Sequence, residues 1–223
     1  MSKAKIKQLR TAIEKLSRWE TTGNAFGFIE LTKKPATDYI YEFYCAMRIL
    51  KDLNRYQSIK IVDGGYGYVF PRNPAPKTGW AKFLIREKGT RNTLFQFCLG
   101  TKINISSSPL TPFGADISLQ KPDSPDDPDE SHVIWIMDGK YKKSKTSKLD
   151  IGTVREFAKC VSDLEAPKRR RIRLQFDKLT DLNTNCLLTN GAGVLDHEQY
   201  CKNNHIKEVV SFDCDGRIMQ IIG

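Results

Sequence analysis

Residues 113–142 read FGADISLQKPDSPDDPDESHVIWIMDGKYK, and two apolar runs within this stretch, each carrying one acid, decide how the chain is read. The first run is Ala115, Asp116, Ile117, Ser118 and Leu119. The second, Val133 to Met137, is uncharged and is closed by Asp138, Gly139 and Lys140. An uncharged run of this length has the character of a buried central strand. A carboxylate at the end of such a strand is costly unless a cation or a hydrogen-bond donor meets it. Side chains repeat every second residue on a strand, so Lys140 faces the same way as Asp138. Two acids on neighbouring strands offer the oxygen ligands that a hard divalent metal takes. A lysine beside them can orient or deprotonate a water, or stabilise charge developing on a phosphate.

Between the two runs, Lys121 to Ser131 (KPDSPDDPDES) is too polar and proline-rich to pack and reads as a solvated hairpin loop whose acids hold no ligand. Beyond Lys140 come Lys142, Lys143, Lys145 and Lys148, a basic segment placed to contact a phosphate backbone. A helix is predicted from Leu149 or Asp150 through Leu164, with Ile151, Val154, Phe157, Ala158 and Val161 on one stripe, as a crossover between parallel strands. In Ala166 to Asp177, Arg169, Arg171 and Arg173 alternate with Arg170, Ile172 and Leu174. On a strand these three arginines line one face, either as a second phosphate-binding patch or as the polar side of an edge strand.

Upstream, Ile6, Leu9, Ile13 and Leu16 mark an amphipathic helix from Lys3 to Trp19. A second helix is expected from Thr37 or Asp38 to about Arg55, with Glu42 beside its apolar face. Ser58 to Gly100 turns to strand patterns, SIKIVDG, GYGYVFP, WAKFLIREKG and TLFQFCLGT, separated by turn compositions. The C-terminal part adds a strand at Cys186 to Thr189, a helix from Asp196 to about Asn203, a strand at Glu208 to Phe212 and a closing hairpin through Asp215-Gly216. The pattern is that of an α/β fold with a central mixed sheet flanked by helices. Residues 1–24 form a helix appended to a single domain over residues 25–223.

With 223 residues the chain suffices for one full core. Its net charge of +10 points to a polyanionic partner, nucleic acid before a membrane surface. No apolar run is long enough for a membrane span and the start, MSKAKIKQLR, lacks the apolar stretch of a signal peptide, so a cytoplasmic location is expected. The six cysteines show no C-x-x-C pair and read as reduced core thiols. His197, Cys201 and His205 fall four apart, yet they lack zinc-finger spacing. No motif for acyl transfer surrounds any histidine or serine.

From about Thr37 to Leu164 the order of helix with an acid, strands, acid, strand, D-x-K and helix resembles the PD-(D/E)XK nuclease superfamily. Asp138-Gly139-Lys140-Tyr141-Lys142 is similar to the D-x-K-Y-K end of nuclease domains in modification-dependent restriction systems. Ala115 stands where many members carry proline. The resemblance implies a restriction-endonuclease-like core and a Mg²⁺-dependent endodeoxyribonuclease, with Mn²⁺ able to substitute. Asp116 and Asp138 would be the metal ligands, Lys140 the catalytic lysine, and Glu42 a helix glutamate reaching the site through water. A solvated helix glutamate is the other reading of Glu42. The setting implied is restriction, phage defence or mobile-element processing on double-stranded DNA, by a homodimer or by a subunit of a larger complex, with no membrane role. The competing expectation is a catalytically inactive DNA-binding or assembly subunit on the same fold.

Overall fold

The computed structural model describes residues 2–19, 37–105, 112–164 and 174–223. Within these, eight strands form one mixed sheet in sequential order. They are β1 (Gln57–Val62), β2 (Lys82–Glu87), β3 (Thr93–Ile103), β4 (Phe113–Gln120), β5 (Val133–Lys140), β6 (Asn185–Thr189), β7 (Ile206–Val210) and β8 (Gln220–Ile222). From β1 to β5 the pairing is antiparallel, β5, β6 and β7 run parallel, and β8 returns antiparallel to β7. The helices are α1 (Lys3–Leu16), α2 (Thr37–Leu53), α3 (Ile151–Asp163) and α4 (Glu198–Asn203). The α/β expectation with a central mixed sheet holds.

Both faces of the sheet centre are covered, and strand alternation shows how. Trp135, Met137, Cys186 and Leu188 join the core under α2, while Ile136 and Leu187 join a second core with Val154, Phe157 and Val161 of α3. This is why β5 carries no polar residue before Asp138: a strand buried on both sides has no solvent face to spend on one. Asp150 caps α3, its Oδ1 accepting from Thr153 N at 3.0 Å. The helix lies in the connection between parallel β5 and β6, as the crossover pattern predicts. α1 is seated on the α2 side, with Leu9 and Ile13 fully buried in the same core as α2.

Three expectations change. GYGYVFP forms no strand; residues 63–81 are a loop with two isolated bridges, Gly65 to Gly79 and Ala75 to Thr101. Gly65 and Gly67 have φ of +121° and +83°, which breaks an extended run before it can pair. The loop 121–131, expected to stay unpacked, is pinned by the buried Lys77. Its Nζ donates to Ser124 O (3.0 Å), Ser124 Oγ (3.1 Å), Gln96 Oε1 (2.9 Å) and Gln120 Oε1 (3.0 Å). A buried ammonium takes whatever acceptors surround it, and here the polar loop supplies them. Strand β7 begins at Ile206 and ends at Val210, two residues earlier than the pattern suggests, because Ser211 turns the chain at φ +54°. All six cysteines are free thiols.

Candidate active site

The register of β4 on β5 pairs Ile117 with Met137, which sets Asp116 directly opposite Asp138. Asp116 Oδ2 accepts from Gly139 N at 2.9 Å. Burial, then the neighbouring Asp138 carboxyl and the charge of Glu42, push the Asp116 carboxyl well above the ordinary aspartate range, against the opposing pull of the Gly139 N–H.

Lys140, two residues along β5, meets Asp138 with Nζ to Oδ2 at 2.7 Å. Burial lowers the Lys140 amine, but contact with Asp138 and the charges of Asp116 and Glu42 outweigh it and hold the amine above its usual value. In this arrangement Lys140 is a cation and a donor. Sequence alone left open whether it deprotonates a water; its surroundings favour the charged form.

Glu42 is delivered by α2. A Cβ at Gly139 would lie 3.1 Å from Glu42 Cγ and 3.5 Å from its Cα, so the glycine of D-G-K is what lets the helix approach the strand end this closely. Burial first, then the charge of Asp138, raise the Glu42 carboxyl to about 7, with Lys140 working in the opposite direction. The helix is held in place by two tyrosines, Tyr39 O–H donating to Phe70 O at 3.2 Å and Tyr41 O–H to Phe212 O at 2.9 Å. Glu42 therefore faces the acids of the sheet.

Beside Glu42 and Asp116 lies a cavity of about 20 Å³, room for one water, walled also by Tyr39, Pro71, Arg72 and Pro74. The three carboxyl groups offer oxygen donors alone, the ligand class of Mg²⁺ and Mn²⁺, and the cavity puts a small space at two of them. In donor chemistry the residues fit such an ion. As they stand, the described residues gather no group of three or more His, Cys, Asp or Glu positioned to hold a metal. Lys140 Nζ occupies Asp138 Oδ2 and Gly139 N–H occupies Asp116 Oδ2 instead.

The basic residues expected to hold a phosphate backbone divide. Lys143 and Lys148 are exposed. Lys145 is paired to Asp215 at 2.5 Å, and Lys142 has its backbone clamped by Asn190, whose Oδ1 accepts from Lys142 N at 2.6 Å and whose Nδ2 donates to Lys142 O at 2.9 Å. Arg169, Arg171 and Arg173 lie outside the described residues. Asn190, Arg72 and Lys5 were not singled out from sequence. Asn190 stands before glycine and reads as an ordinary turn former, Arg72 sits in a proline-rich loop, and Lys5 is one of several lysines on an amphipathic helix. His197 serves elsewhere, its Nδ1 2.8 Å from Glu208 Oε2.

Compared with known protein families, curated protein sequences and solved structures, the chain matches none. The reading of the site therefore rests on its own geometry.

Proposed function

We propose that this chain is a metal-dependent endonuclease that hydrolyses phosphodiester bonds in DNA, on a restriction-endonuclease-like core. The observation that carries the proposal is the meeting of Asp116, Asp138, Lys140 and Glu42 from two adjacent strands and a helix at one strand end. A protein that only binds DNA gains nothing from three carboxyl groups that repel phosphate.

Asp116 and Asp138 would hold Mg²⁺ or Mn²⁺, with a backbone carbonyl near residue 139 as a further ligand. The ion would supply Lewis acidity toward the scissile phosphate and a lowered pKa for bound water. The chain's own groups do the rest. Lys140, kept protonated by its acidic neighbours, donates to a phosphate oxygen or aligns a water for in-line attack. Glu42, with its carboxyl near 7, is matched to accepting a proton at neutral pH. Restriction, phage defence or mobile-element processing are the settings that the D-x-K-Y-K resemblance suggests.

The test is cleavage of supercoiled plasmid with Mg²⁺ or Mn²⁺. The parent is expected to cut, while Asp138→Ala and Lys140→Ala bind DNA but cut at least about 100-fold more slowly, the scale of losing one preorganised electrostatic group. A second reading, a catalytically inactive DNA-binding or assembly subunit, is favoured by one observation: Asp138 is already paired to Lys140 and Asp116 already accepts from Gly139 N. A parent that binds but never cuts a panel including methylated and branched substrates, with or without metal, would make that reading the better one.

A further inference from the structure

The strand that carries Lys140 leads directly into a second concave surface. A cavity of about 340 Å³ is bounded by Lys5, Tyr141, Lys143, Lys145, Asn190 and Asp213. Its acid is already spent: Asp213, with its side chain fully buried, takes Lys5 Nζ at 2.5 and 2.7 Å. Among the described residues Lys143 is exposed and makes no ion pair. The cavity does not depend on the helix end beside it, since Ser2 Oγ already accepts from Lys5 N at 3.2 Å.

A second groove, of about 490 Å³, runs along α1 and is lined by Lys7, Gln8, Thr11 and Lys15 together with Ala4, Ala12 and Cys214. Ala4 and Cys214 are the chain neighbours of Lys5 and Asp213, so the two concavities adjoin. The composition of α1 is one-sided. Lys3, Lys5, Lys7, Arg10 and Lys15 face the single acid Glu14, and no acid lies in the first turn. A helix face that is merely solvated usually mixes signs to gain i,i+4 pairs, whereas here Lys7 and Lys15 make no ion pair among the described residues. From Lys5 to Lys15 the helix spans roughly 15 Å, the axial length of about four base steps.

We infer that α1 is a nucleic-acid-binding element: the phosphodiester backbone leaving the candidate site crosses the pocket at Lys143 and continues along the Lys7 and Lys15 face of α1. The inference rests on the nuclease reading for the identity of the polyanion, but its test reads binding and not cleavage, so the two can fail separately.

The experiment measures affinity of the full chain for a fluorescent 20-base-pair duplex between 50 and 200 mM salt, without divalent ions. Parent, a Lys7→Ala/Lys15→Ala/Lys143→Ala triple variant and a charge-matched triple on exposed residues elsewhere, Lys60→Ala/Arg91→Ala/Lys178→Ala, are compared, with circular dichroism confirming that each is folded. Each lost phosphate contact reduces the log–log salt slope by about 0.9, so the first triple is expected to lose roughly 2 to 3 from the slope and the control about none. Equal loss in both triples, no loss in either, or a parent that does not bind the duplex would overturn the inference. So would a first triple that keeps duplex affinity yet loses binding to phosphatidylserine vesicles, which would assign the face to a membrane. Loss confined to the first triple supports it even if no variant, nor the parent, cleaves DNA.

Discussion

Glu42 shows what one residue contributes. Its carboxyl titrates near 7 in the folded chain and near 4.5 when unperturbed, so between these values the folded state keeps a proton that the unfolded state releases. Its stabilising contribution is complete below about 4.5 and is lost as the pH rises through 7. Thermal melts of the parent against Glu42→Gln from pH 5 to pH 8 are therefore expected to show the parent losing stability relative to the variant. The relative loss should be of the order of 2 kcal/mol. Mg²⁺ or Mn²⁺ at pH 8 should recover part of this loss, because a cation replaces the proton among the three acids, and should do so far less at pH 5.5. Equal effects of metal at both pH values would separate Glu42 from any metal site.

At the level of elements, two contacts hold the site together, and each can be broken singly. Gly139 permits the close approach of α2 to β5, and a methyl group there would press on Glu42 Cγ from 3.1 Å. Gly139→Ala should cost only about 1 kcal/mol, since a flexible glutamate can give way, yet if the proposed cleavage is present it should fall as strongly as in Glu42→Gln. Steady-state kinetics beside urea unfolding would separate these two effects. Lys77 acts further away, joining β3, β4 and the loop after β4 through four acceptors. Lys77→Met would leave Gln96 Oε1 buried without its donor and take one of two partners from Gln120 Oε1 and Ser124 O, and urea unfolding should show a loss of about 1–3 kcal/mol. Cleavage, if present, should change little.

For the whole molecule, the burial of Leu9 and Ile13 makes α1 a wall of the main core, whatever it contacts outside. Leu9→Ala should cost about 2–5 kcal/mol in urea unfolding, the cost of a cavity in a closed core. Removal of residues 1–19 should lower the melting temperature of the remainder sharply. A helix that served only assembly would leave that melting temperature where it was. Among the described residues no helix is long and apolar enough to cross a membrane.

Much of this was legible in the residues themselves. An uncharged five-residue run ending in Asp138 is a strand buried on both sides, and the period of Ile151 to Leu164 is a helix, because local periodicity reports directly which side meets water. The alternation rule likewise set Lys140 beside Asp138, where the folded chain has it at 2.7 Å. What no local pattern contains is partner choice across the chain. The placing of Asp116 opposite Asp138 depends on register between strands, and the arrival of Glu42 depends on a helix packed against Gly139. The packed state of the acidic loop depends on a lysine 47 residues away from Ser124. The raised carboxyl of Asp116, the charged state of Lys140 and the joining of α1 to the pocket beyond β5 follow from burial and proximity, and only the tertiary structure decides those.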